Sequence, residues 1–171
     1  NTLELITSAK DEFEVVALTG FQNIKLLAQS AIDSNAKIVA ISDESKFNEL
    51  KEMLSGQNIK VLGGKNGILE ASSVQVDWVM SAIIGSAGLL PGLTAMQAGA
   101  NVALANKESM VAAGPIMKKV SEEKGVKLLP VDSEHSAVSQ VIRGEDKETL
   151  EKIIITASGG AFRNRSIDEL K

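Results

Sequence analysis

Short runs of β-branched and aliphatic residues recur along this chain, and each is followed by a stretch with helical spacing. FEVVALTG (13–20), AKIVAIS (36–42), IKVLGG (59–64), VDWVMSAIIG (76–85), ANVALAN (100–106), VKLLPV (126–131) and EKIIITASGG (151–160) read as strands. They carry apolar residues on both faces, as the strands of a parallel sheet do when helices cover both sides. The intervening segments 23–34, 43–54, 64–73, 87–99, 107–125 and 133–144 read as helices. Asp43 suits an N-cap, Gly99 suits a C′ position, and Gly114–Pro115 predicts a break in the long fifth helical segment. TLELITSA, with apolar residues at 3, 5, 6 and 9, predicts a helix from residue 2, so the chain reads as if it starts inside an element.

Composition narrows the function classes. A chain of 171 residues is one domain, or one domain plus part of a second. Aromatics make up only 3%, so Val, Ile, Leu, Ala and Met must build the core. Eighteen basic against 22 acidic residues, with no basic stripe, give no footprint for nucleic acid. The absence of cysteine removes disulfides, thiolate nucleophiles and zinc–cysteine sites. The most apolar stretch, VMSAIIGSAGLLPGL, is broken by Gly85, Gly88, Pro91 and Gly92, so no membrane span is expected. The first residues lack the basic start of a signal peptide.

In sheets of this kind ligands sit at the carboxyl ends of strands, so the chemistry is sought in the loops that follow them. IGSAGL (84–89) offers backbone N–H groups to an anion or cofactor, or simply lets helix and strand pack closely. In LANKESM (104–110), Lys107 either faces the crevice and bonds a substrate hydroxyl or carbonyl, or is solvated beside an Asn106 that caps the next helix and a Glu108 that favours its dipole. VDSEH (131–135) holds Asp132 and Glu134. On an extended segment both carboxylates point one way and reach one cation, a hard-oxygen set suited to Mg²⁺ or Mn²⁺. The alternative is a helix cap, Asp132 or Ser133, with Glu134 in the first turn. His135, the only histidine, has no nucleophile elbow to serve and reads as support. TASGGAF (156–162) sets Ser158 and two glycines after a strand, either a phosphate contact or a plain turn.

Taken together, ANKES, LLPVDSEHSA and SGGAF in this order and spacing resemble 1-deoxy-D-xylulose 5-phosphate reductoisomerases. SAIIGSAGLLPGLTAMQAG and the opening NTLELI fit the same family, and the resemblance covers essentially the whole chain. It implies an α/β fold: a Rossmann-like, doubly wound, mostly parallel sheet over 1–131, then the start of an α+β catalytic, metal-binding domain over 132–171. It implies the conversion of 1-deoxy-D-xylulose 5-phosphate to 2-C-methyl-D-erythritol 4-phosphate in non-mevalonate isoprenoid biosynthesis, with NADPH and Mn²⁺ or Mg²⁺. By the same resemblance Asp132 and Glu134 are metal ligands, and Lys107, Ser133 and Ser158 hold the phosphorylated sugar. Asn106 and Glu108 line the nicotinamide cofactor, and Phe21, Gln22 and Asn23 form the loop on its 2′-phosphate side. A homodimer of the full-length protein and a bacterial cytoplasmic or plastid location follow from the family as well, with no membrane or nucleic-acid partner.

One loop departs from the family pattern. Gly20-Phe21-Gln22-Asn23 has Gln22 where the family usually has Lys or Arg after the glycine, so a basic partner for a 2′-phosphate is absent. The family's glycine-rich pyrophosphate loop and third metal carboxylate would lie outside residues 1–171, and the segment alone is expected to be inactive. Two other readings stay open: a non-catalytic nucleotide-binding or assembly module, and a different nicotinamide oxidoreductase.

Overall fold

The computed structural model describes residues 2–156, 160 and 162–170. It divides into two compact units, residues 1–129 and 130–171. The first unit opens with helix α1 (Thr2–Ser8) and strand β1 (Ala17–Gly20), then α2 (Ile24–Asp33), β2 (Ile38–Ile41) and α3 (Phe47–Met53). It continues through β3 (Lys60–Gly63), α4 (Gly64–Ser72), β4 (Trp78–Ser81), α5 (Leu89–Gln97), β5 (Asn101–Leu104), α6 (Lys107–Lys124) and β6 (Leu128–Pro130). Helix α7 (Ser133–Val141) follows in the second unit.

The strands form two three-stranded sheets, ordered β1-β2-β3 and β4-β5-β6. The resolved registers are parallel: Ala17 faces Ile38, Ile38 faces Lys60, and Trp78 faces Asn101. The expected strand–helix alternation is therefore present. The strands are shorter than the apolar runs that announced them. VDWVMSAIIG yields only Trp78–Ser81, because the chain leaves the sheet and Gly85 takes a left-handed φ of 73°.

Three apolar clusters hold the first unit together. Ile24, Leu27, Ala28 and Ala31 of α2 meet Val39 and Ile41 of β2 and Leu50 of α3. On the same sheet Ala40 packs with Ile68 and Ala71 of α4. Against the second sheet, Ala95 and Met96 of α5 and Met117 of α6 close on Val102 and Leu104. Alanines and two methionines at these contacts let helices approach closely, which is how a core almost without aromatics reaches full burial.

Helix boundaries follow local chemistry. Asp43 accepts from Ser45 N and caps a short 3-10 turn, Glu44–Lys46, rather than the α-helix itself. Gly99 adopts φ 96° one residue past the Ala98 cap of α5. Helix α6 is kinked where expected, with the non-helical residue at Ala113, just before Gly114–Pro115. Of the strand expected over 151–160, residues 151–156 are irregular, and 157–159 lie outside the described residues. An apolar run needs a neighbour to pair with, and Ile153, Ile154 and Ile155 stay exposed.

Candidate active site

At the carboxyl ends of β4 and β5 the backbone is stitched together before any side chain acts. Ala105 N and Asn106 N both donate to Ser81 O. Asn106 caps α6: its Oδ1 accepts from Ser109 N at 2.8 Å and from Ser109 Oγ at 2.7 Å. Its Nδ2 donates to Gly85 O at 2.8 Å and also to Ile83 O. Asn106 is 3% and Ser109 1% exposed. Around this buried knot the rim is open. Lys107 and Glu108, the first residues of α6, are exposed, as are Ile84, Ser86 and Ala87.

The end of the first sheet is similar but simpler. Ser42 N donates to Gly20 O and Asp43 N to Phe21 O, tying the loops after β1 and β2. Asn23 caps α2 by accepting from Leu26 N at 3.2 Å. Phe21, Gln22 and Asn23 are all exposed, and Phe21 retains 67% of its surface.

In the second unit the chain turns from extended to helical at Asp132 (φ −69°, ψ 154°). Asp132 Oδ2 accepts from His135 N at 3.2 Å and pairs with His135 Nδ1 at 2.6 Å. Ser133 and Glu134 are the first residues of α7, and Ser133 Oγ donates to Glu134 Oε2 at 2.9 Å. So 132–134 is not one extended stretch with alternating sides; the cap geometry forms instead. Aspartate is among the strongest N-caps, and the helix that follows gains a satisfied N–H. His135, 65% exposed in its side chain, supports Asp132 from the first turn. Burial alone opposes ionisation of Asp132, but the hydrogen bonds and charge of His135 outweigh it and hold the carboxyl below its ordinary value.

The donor set suits a hard divalent cation. Two carboxylates lie two residues apart, and both hydrogen bonds between Asp132 and His135 fall on Oδ2. Among the described residues no cluster of three metal-ligating side chains forms. Ser158 lies outside the described residues. Sequence reasoning marked the loops 84–89 and 104–110, but it did not mark Ile83, nor Gly85 and Ser109 as hydrogen-bond partners of Asn106, nor Gly88 as the residue packed against its amide. Only the Asn-x-x-Ser spacing hinted at Ser109, since a cap bond joins neighbours in sequence while the others cross between loops.

Sequence models of the family described as 1-deoxy-D-xylulose 5-phosphate reductoisomerase match residues 1–114, and those of its C-terminal domain match residues 128–171. The reductoisomerase of Ruegeria sp. (strain TM1040) is 46% identical over all of this chain, which spans 43% of that protein. That of Gluconobacter oxydans (strain 621H) is 48% identical, again over the whole chain and 42% of the relative. Among solved structures, the Zymomonas mobilis reductoisomerase in complex with NADPH superposes with a TM-score of 0.91 at 46% identity, covering 98% of this chain and 44% of that one. A reductoisomerase solved with NADPH, fosmidomycin and magnesium superposes at 0.86 with 33% identity, covering 98% of this chain and 44% of that one. The parallel sheets, the crevice loops and these likenesses agree, and the chain belongs to the 1-deoxy-D-xylulose 5-phosphate reductoisomerase family.

Proposed function

We propose that the protein carrying this chain converts 1-deoxy-D-xylulose 5-phosphate to 2-C-methyl-D-erythritol 4-phosphate with NADPH and a divalent cation. The observation that supports this most directly is the rim at the carboxyl ends of β4 and β5. There Lys107, Ser86 and Ala87 stand exposed around a buried polar knot. In this reading the exposed loops 21–23 and 84–88 receive the cofactor, and Glu108 borders it. Lys107 holds a substrate oxygen through its ammonium group, which orients the carbonyl and offsets charge that develops on it. Asp132 and Glu134 would hold the cation, with Ser133 and Ser158 binding the phosphorylated sugar. When bound, the cation polarises adjacent substrate oxygens and NADPH supplies the hydride, so the protein needs no nucleophile of its own. The residues instead fix geometry, and contacts to a remote phosphate supply orientation.

The test is consumption of NADPH that depends on both 1-deoxy-D-xylulose 5-phosphate and Mg²⁺ or Mn²⁺, by the protein that contains these residues. Asp132→Asn and Glu134→Gln are each expected to lower kcat by about a hundredfold or more, with NADPH binding retained. Metal-independent hydride transfer to another carbonyl substrate would replace this reading with a different oxidoreductase.

A further inference from the structure

The carboxamide of Asn106 has two N–H donors and two acceptor lone pairs, and all four are used. Nδ2 serves Ile83 O and Gly85 O in the loop after β4; Oδ1 serves Ser109 N and Oγ in the first turn of α6. The other side-chain N-caps differ. Asn23, Asp43 and Asp132 bond only residues within the next three positions. Asn106 bonds carbonyls 23 and 21 residues away. Gly88 closes the other side of the amide. A Cβ there would sit 2.5 Å from Asn106 Nδ2 and 2.6 Å from Ile83 O, so only glycine admits the knot. Its φ of −80° shows that space, not backbone conformation, is what it supplies.

We propose that Asn106 is a positioning residue: its buried carboxamide locks loop 83–88 to the start of α6, holding the exposed residues Ser86, Ala87 and Lys107 as one rigid rim without its side chain touching the cofactor. This rests on the reading that the rim borders the cofactor crevice. It also alters the role that resemblance gave Asn106, from lining the cofactor to fixing what lines it. Asn101 provides an internal comparison. Its Nδ2 donates to Asp77 O at 3.0 Å and its Oδ1 accepts from Lys127 N at 2.8 Å, a similar clamp at the opposite, amino end of the same strands. Asn101 therefore reports what losing a clamp does to stability alone.

Asn106→Asp keeps the acceptor for Ser109 and the helix cap, but sets a carboxylate oxygen against the carbonyls of Ile83 and Gly85. Asn106→Ser keeps a cap and simply deletes the two long-range bonds, and serves if the aspartate variant fails to fold. Hydrogen exchange of the 82–89 amides is expected to rise in either variant while α6 stays protected. In the protein carrying this chain, kcat per folded molecule should fall about tenfold to a hundredfold, and the cofactor KM should rise. Asn101→Asp should lower the melting temperature with kcat and KM unchanged. A raised cofactor KM with unaltered exchange in 82–89 would show direct contact and overturn the proposal. So would an Asn106 variant that behaves like the Asn101 variant. The exchange result stands without any activity, so absence of reductoisomerase turnover would overturn the functional reading and leave the lock itself decided.

Discussion

His135 and Asp132 show how one short sequence serves two physical ends. The acid is the N-cap of α7, and the imidazole in the first turn leans back on it at 2.6 Å. An aspartate in an unfolded chain titrates at about 3.9, and Asp132 in the fold titrates lower. A depressed carboxylate contributes stability that is complete above the unfolded value and is lost as pH falls through the folded one. Helix α7 is accordingly expected to fray below about pH 4. Replacing His135 with Ala should move the Asp132 midpoint upward, as read from its carboxyl carbon in an NMR titration. An unchanged midpoint would mean that the ring does not pair with the acid in solution.

At the scale of elements, two glycines make opposite demands. Gly125 ends α6 with φ 66°, and nothing lies within 4 Å of where its Cβ would be. Only the backbone resists a side chain there, so Gly125→Ala should destabilise by about 1 kcal/mol, the cost of a left-handed alanine. Gly92 sits inside α5 with helical backbone, and a Cβ would meet Ser81 Oγ at 3.5 Å, ordinary contact. Gly92→Ala should therefore stabilise by about 0.5–1 kcal/mol, because the unfolded chain loses freedom and the helix gains a better former. Urea denaturation of the two variants checks both signs. The helix α6 that Gly125 closes also carries the kink at Ala113, and its buried residues Ser109, Ala113, Gly114 and Met117 run across it.

Across the whole molecule burial is uneven. The first unit contains all three apolar clusters. In the second, none of the described residues is buried, and Val141, Ile154 and Ile167 are largely exposed. Helix α7 has nine residues, and helices shorter than about 12–15 residues are marginal without packing. Amides of β2 and β5 should therefore be the slowest to exchange in this chain, and those of α7 should exchange orders of magnitude faster, close to the local-opening limit. Equal protection in α7 and β5 would contradict this. This chain spans less than half the length of the relatives it matches.

The apolar runs and the helical spacing between them determined the α/β alternation and the parallel class, because a strand buried on both faces must be apolar throughout. They also determined where α5 and α6 stop, since Gly99 and Gly125 carry the turn in their own backbone. The family was legible from three loops read together. Strand ends were not, because apolarity marks what can be buried and pairing decides what is; hence β4 stops at Ser81, and 151–156 form no strand. The sequence also left the backbone of VDSEH between a helix cap and an extended stretch, and the N–H of His135 reaching Asp132 makes it a cap. Above all, only the tertiary structure showed Asn106 spending its amide on Ile83 and Gly85, since a bond across 21 residues depends on where two loops meet.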